Sequence, residues 1–270
     1  MSKLGIYLIL FKIFSKIGPS FIKLFKSIKV AKVGLAGASM AAYSYIFTWE
    51  FALILLLAIV IHEYGHLNAM KNIGIKTKGI YLIPFFGGAA VASESFKNYK
   101  NESYVAIMGP LYGLFTLIPF IVAYYLTNNV LFIGLVSFIA LLNLFNLLPI
   151  NPLDGGRIIK SIAFSMNTNF GIIIIFLGMI LATFIVWKFE IYLLLFILII
   201  GLIEFVIEFF EYKKNKVWKE EYEKMSTSEI LKYSIYFSLL ATVFLFVIYY
   251  TSSIEGADIA LKILKDQGIE

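Results

Sequence analysis

The stretch LLLAIVIHEYGHLNAM, residues 55–70, decides how the rest of the chain is read. Seven apolar residues run straight into His62, Glu63 and His66. Two imidazoles and a carboxylate are costly inside such a helix, and ionisable groups in apolar spans default to functional roles. Positions four apart share a helical face, so both rings can serve one metal ion. Glu63, one position on from His62, can then take a proton from a water molecule at that metal. The bland alternative is a pair of helix-end histidines snorkelling to the interface beside Glu63. His62 and His66 are the only two histidines in the chain, which favours the metal reading.

Composition supplies the setting. The 270 residues are 60% hydrophobic and 15% charged, with a mean hydropathy of +0.88. Soluble domains usually carry about 45–50% apolar and about 25% charged residues, so a membrane protein is expected, and no polar segment is long enough for a separate soluble domain. Cysteine is absent, which excludes disulfides and thiolate metal sites and leaves nitrogen and oxygen ligands. The net charge of +6 points to lipid head groups and cytoplasmic loops rather than to nucleic acid, since no basic helix is interleaved with base-stacking aromatics.

Spanning helices need about 20 largely apolar residues. Seven candidates emerge, at 33–48, 51–70, 104–126, 130–149, 170–187, 191–210 and 230–252. The fold class expected is therefore an all-α polytopic membrane protein with about six to seven transmembrane helices. Residues 1–32 form a basic amphipathic segment without the uninterrupted apolar stretch of a cleavable signal peptide. Residues 33–211 make the transmembrane core, 212–229 a charged cytoplasmic linker assigned no chemistry, 230–252 an additional transmembrane helix and 253–270 a short tail. With the N-terminus cytoplasmic, the inner side receives every basic residue except Lys188, Lys262 and Lys265, as the positive-inside rule favours. The location expected is the cell membrane, with multiple passes. Between the second and third spans, GIKTKGIYLIPFFGGAAVASES combines β-branched residues, a proline and paired glycines, and is expected to form short strands around Gly87 and Gly88 as a membrane-embedded hairpin beside the active site.

A catalytic zinc takes three protein ligands and keeps one position open. With no third histidine and no cysteine, the third ligand is a carboxylate or weaker. Glu50, Glu94, Glu102, Glu204, Glu208 and Asp154 are the candidates. Asp154 lies in NLFNLLPINPLDGGRIIK, where prolines break an apolar helix and glycines permit turns. Topology puts that segment at the depth of His62 and His66, so Asp154 is the preferred third ligand.

HEYGH followed by NPLDGG resembles the site-2 protease family of intramembrane zinc metalloproteases. IPFFGGAAV is similar to that family's glycine-containing membrane hairpin, and ESYVAIMGPLYGL to its Gly-Pro-bearing third core span. The likeness covers residues 50–160. It implies Zn2+ held by His62, His66 and Asp154, Glu63 as general base, and a role for Asn146 in binding substrate or stabilising the oxyanion. Read from the residues alone, Asn146 is equally well a polar group hydrogen-bonding between helices. The substrate implied is a single-span membrane protein or membrane-bound peptide, unwound locally and paired by strand addition near Gly87 and Gly88. The alternatives are a membrane zinc protease of another family, or a non-proteolytic metal-handling or binding protein. No segment resembles the PDZ or CBS domains that many members of the family carry. The sequence leaves the oligomeric state open.

Overall fold

The computed structural model describes residues 28–85, 87–189, 198–203, 206 and 222–254. The basic N-terminal segment before residue 28, Glu204, Glu208 and most of the span expected at 191–210 lie outside the described residues. Among the described residues the elements with defined bounds are, in chain order, α1 (Ile28–Ile46), α2 (Trp49–Asn72), β1 (Thr77–Ile83), β2 (Gly87–Ala92), α3 (Tyr99–Thr127), α4 (Val130–Asn146), α5 (Asp154–Met166), α6 (Thr168–Phe189) and α7 (Thr227–Ser252).

Helix α2 starts where the Thr48 side chain accepts a hydrogen bond from the Phe51 amide, a standard way to satisfy an orphan N–H of the first turn. Leu55, Ala58, His62, Gly65, His66 and Ala69 recur at helical spacing and are buried along one face. The opposite face is apolar as well, with Leu53, Leu57, Ile61 and Tyr64 exposed. The same holds for Ile118 and Val122 on α3, Ile173, Phe176 and Ile180 on α6, and Ile235, Leu239 and Phe246 on α7. A helix that is apolar all round belongs in a large core or a bilayer; with these outward faces unpaired, the surroundings they suit are hydrocarbon.

Three of the helices, α2, α3 and α7, are long and apolar enough to cross a membrane. That count is of the described residues, and most of the span expected at 191–210 lies outside them. Helix α4 has 17 residues, about 25 Å at 1.5 Å per residue, the short end of the range of about 17–25 residues for a spanning helix. It ends at Asn146 because the Leu147–Leu153 turn takes over, whereas the expected span ran on to 149. Helix α7 begins at Thr227, three residues before the expected 230. There Ser226 and Glu229 form a reciprocal capping box, satisfying two orphan donors at once.

Helix α3 is the central strut. It packs against α2, α4, α5 and α7, and the core they share includes Leu55, Leu135, Ile139, Ile158 and Phe244, all nearly inaccessible. Its contact with α2 is close because Gly65 has no side chain: a Cβ there would meet the backbone carbonyl of Met108. The hairpin lies between α2 and α3 in sequence. Its strands pair antiparallel with Ile80 opposite Ala90 and Leu82 opposite Gly88. Helix α1 packs on β1, where the Lys32 ammonium donates to the Lys78 carbonyl at 2.6 Å and lies 5.1 Å from the centre of the Tyr81 ring. The short strands expected around Gly87 and Gly88 are thus present.

The Gly65 contact gives a direct test. Gly65→Val inserts two methyl groups and a Cβ into a backbone-to-backbone contact, and overpacking of this kind costs about 1–3 kcal/mol. Circular-dichroism melting of detergent-purified protein is expected to show a clear drop in the midpoint for this variant. Leu57→Val, on the exposed apolar face of the same helix, is expected to leave the midpoint close to wild type.

Candidate metal centre

His62 and His66 project from the buried face of α2, and Asp154 arrives from the first turn of α5. The three residues meet. His62 Nε2 lies 3.1 Å from Asp154 Oδ2, His66 Nε2 lies 3.3 Å from the same oxygen, and the two Nε2 atoms are 3.2 Å apart. All three side chains are buried. Tetrahedral zinc with bonds of about 2.0–2.1 Å holds its ligand atoms about 3.3–3.4 Å apart. The triangle formed here has that size.

Hydrogen bonding on the far side of each ring strengthens the match. His62 Nδ1 donates to the Asn143 side-chain oxygen at 2.9 Å, and His66 Nδ1 donates to the Val105 carbonyl at 2.7 Å. The Asn143 amide nitrogen in turn donates to the Ile139 carbonyl at 2.8 Å, fixing which way the amide faces. Both imidazoles therefore carry their proton on Nδ1 and turn an Nε2 lone pair inward. Such outer hydrogen bonds characteristically orient metal-bound histidines. Two lone pairs and a carboxylate oxygen facing one another in a buried space repel. A single proton relieves one of the three contacts at a time, whereas a divalent cation serves all three. The donor set, two imidazoles and a carboxylate, is one that suits zinc.

Asp154 reaches this point because of the turn before it. Leu147 and Ile150 are buried, the Asn151–Pro152 peptide is cis, and the Leu153 amide donates to the Ile150 carbonyl at 2.9 Å. Helix α5 then starts against that turn. A Cβ on Gly155 would meet the Leu147 carbonyl, and one on Gly156 would meet the backbone of Ile150 and Asn151. The paired glycines after Asp154 are thus close-approach positions that let the helix begin directly on the turn. The other carboxylates weighed from the sequence that lie among the described residues go elsewhere. Glu50 and Glu94 are exposed, and Glu102 is ion-paired with Lys160.

Glu63 sits next to the triangle but is held from the hairpin. Its Oε2 accepts a hydrogen bond from the Ala90 amide at 2.7 Å, and a potential ligand atom of Glu63 lies within 4.8 Å of those of both histidines. Alternate residues of an antiparallel strand turn their amides toward or away from the partner strand. The Ala90 amide is spent on Glu63, so Gly88, Ala90 and Ala92 face the free edge of β2. A Cβ on Gly88 would run into the Glu63 side chain. Gly88 therefore lets the strand lie against the carboxylate. Gly87 plays a different part, since nothing would obstruct a side chain there, but its φ of +94° favours glycine in the hairpin turn.

Several neighbours were not singled out from the sequence. Asn143, not Asn146, holds His62. Asn146 ends α4 half-buried, and no described hydrogen bond carries it to the cluster. The two asparagines lie a helical turn apart in LLNLFN, and only the phase of α4 against α2 separates them. Gly109 and Gly113 of α3 are the other pair. A Cβ on Gly109 would strike both imidazoles, and one on Gly113 would strike the Asn143 amide. Their spacing of four in GPLYG, one face of a helix, was the available signal.

Residues 50–130 match the family model described as Peptidase family M50. The chain is similar to zinc metalloprotease MJ0392 of Methanocaldococcus jannaschii, with 36% identity over 120 residues, 42% of this chain and 34% of that protein. It is similar also to stage IV sporulation protein FB of Bacillus subtilis, with 35% identity over 109 residues, 40% of this chain and 38% of that protein. The chain thus spans about a third of the length of the curated relatives it matches. The resemblance to the site-2 protease family holds. The family match ends before Asp154, so the third ligand rests on the geometry above.

Removing the outer hydrogen bond separates the two asparagines. Loss of such a partner costs about 10–100-fold in metal affinity. Asn143→Ala is expected to show a loss in that range, and Asn146→Ala none, when zinc binding is measured by chelator competition on purified protein.

Proposed function

We propose that this chain, whose residues 50–130 carry the Peptidase family M50 match, is an intramembrane zinc metalloprotease that hydrolyses peptide bonds of transmembrane or membrane-associated proteins. The observation that carries this reading is the convergence of His62 Nε2, His66 Nε2 and Asp154 Oδ2 within 3.3 Å of one another, beside a carboxylate that is not part of the triangle.

The residues present divide the chemistry between them. When bound, zinc supplies Lewis acidity that polarises the scissile carbonyl and makes water a better nucleophile. His62 and His66 hold their rings in the inward-facing tautomer through Asn143 and Val105. Glu63 takes the proton from the attacking water and passes it to the leaving nitrogen, the work of a general base that becomes a general acid. The Ala90 amide keeps its carboxylate from turning away.

A substrate helix hides its peptide bonds, so cleavage requires a locally extended segment. The free edge of β2, from Gly88 to Ala92, offers outward-facing backbone groups to such a segment, and strand addition there would lay it alongside Glu63. Asn146 is assigned to substrate contact at the mouth of the same site. The lipid bilayer is the surrounding partner, and a single-span membrane protein is the substrate form this geometry suits. Around the core we place six to seven transmembrane helices with the N-terminus cytoplasmic in the cell membrane, supported by the skew of basic residues and the apolar outward faces of the helices.

The two roles separate by substitution. Glu63→Gln is expected to retain one zinc per chain and lose cleavage of a single-span substrate in proteoliposomes by at least 10²-fold, the low end of about 10²–10⁴ for general acid–base catalysis. Asp154→Ala is expected to lose both zinc and activity. Cleavage at the wild-type rate by Glu63→Gln would remove the base assignment.

A further inference from the structure

A second buried ionic cluster lies apart from the ligand triangle and is not used by the chemistry described above. Glu102, in the first turn of α3, pairs with Lys160 of α5 at 3.1 Å, and both side chains are about nine-tenths buried. The other Glu102 oxygen accepts from the Tyr222 hydroxyl at 3.3 Å. Tyr222 is the first described residue of the stretch that leads into α7, and residues 222–226 are docked on the helices. The Glu223 carbonyl accepts from the Tyr99 amide at 3.2 Å, Met225 is buried, and the Met225 amide donates to the Ser165 hydroxyl of α5 at 3.1 Å. Two wholly buried serines, Ser103 and Ser161, follow Glu102 and Lys160 directly. Small residues of this kind let helices approach closely.

The position of the pair along its two helices gives it a consequence. Val105, whose carbonyl holds His66, is three residues after Glu102, less than one turn along α3. Asp154 is six residues before Lys160, about 9 Å along α5. One end of the ion pair is thus rigidly joined to the His66 support, and the other to the helix that delivers the third ligand. Asp154 itself follows the irregular Leu147–Leu153 turn, and its helix packs on α6 and α7 as well as on α3. We propose that the Glu102–Lys160 pair, braced by Tyr222, positions Asp154 for metal binding by locking α5 against α3. The inference rests on the metal-centre reading. It makes Glu102 and Lys160 positioning residues, acting through Asp154 without touching metal or substrate.

The test measures zinc affinity of the detergent-purified full chain by chelator competition, together with the melting midpoint of the metal-free protein and the visible absorption of the cobalt-substituted form. Glu102→Gln and Lys160→Met each break the ion pair between α3 and α5 and are expected to weaken zinc binding at least tenfold and to alter the cobalt spectrum. Because a lone buried charge also destabilises the fold, the decisive variant is the double Glu102→Met/Lys160→Met. Apolar replacement of both partners of a buried pair is often tolerated without loss of stability. The double variant is expected to melt near wild type yet bind zinc at least tenfold more weakly. Leu240→Ala, a core truncation on α7, serves as a destabilised control and is expected to keep zinc affinity within twofold of wild type.

The proposal is overturned if the folded double variant binds zinc within twofold of wild type, or if Leu240→Ala loses affinity as much as the pair variants do. Failure of the wild-type chain to bind zinc at all would instead overturn the metal-centre reading beneath it.

Discussion

Three electron-rich atoms brought together in a buried space are the constraint around which the rest of this structure is arranged. His62, His66 and Asp154 would repel one another without a cation between them, and a buried, low-dielectric setting strengthens that repulsion. Holding them in place takes structure on three sides. Helix α2 supplies both rings at a spacing of four, α4 fixes one ring through Asn143, and α3 fixes the other through the Val105 carbonyl. The prolines and glycines around Asp154 supply the sharp turn that returns the chain to the same point.

Space is as tightly arranged as charge. Gly65, Gly88, Gly109, Gly113, Gly155 and Gly156 each stand where a Cβ would meet a site residue or the backbone that supports one. They explain why a chain so rich in bulky apolar residues keeps small ones in HEYGH, FFGG, MGPLYG and LDGG. In a bilayer, lipid is as apolar as the side chains it touches, so hydrophobic burial does little to draw helices together. Close packing and interhelical hydrogen bonds take that part. The Asn68 side chain, which donates to the Tyr112 hydroxyl at 2.9 Å between α2 and α3, is one such bond beside the site.

Much of this was legible in the sequence because local rules govern it. The grouping of His62, Glu63 and His66 follows from helical periodicity. The hairpin follows from turn chemistry and β-branched residues, and Asp154 from the shortage of other nitrogen and oxygen donors. What was not legible depends on how elements meet. Asn143 and Asn146 are chemically identical and one turn apart, so only the rotation of α4 against α2 decides which reaches His62. Glu102 appeared as a possible ligand because a carboxylate near an apolar span attracts that reading; its partner Lys160 lies 58 residues away, and the pairing is invisible until α3 and α5 are packed. The end of the charged linker was assigned no chemistry because composition does not reveal that Tyr222 and Met225 dock against α3 and α5. Span counting was least secure where helices are short, since α4 ends early at a turn that hydropathy alone does not register.

The hairpin shows how placement and chemistry become one problem. A base that must reach a water molecule near the metal needs a fixed carboxylate, and in an apolar span a free carboxylate has few partners. The Ala90 amide supplies one from backbone, which no substitution on the strand other than proline at that position removes. Because that amide points outward from β2, the neighbouring outward groups of Gly88 and Ala92 lie along the same line. Any extended segment that pairs with this edge is brought in register with Glu63 by the ladder itself. In the proposed strand addition, the ladder would fix where the peptide bond lies relative to Glu63 without reading the side chains of the segment. The backbone of β2 would then set the position of the scissile bond, and selectivity would follow from how readily a membrane helix unwinds to reach it.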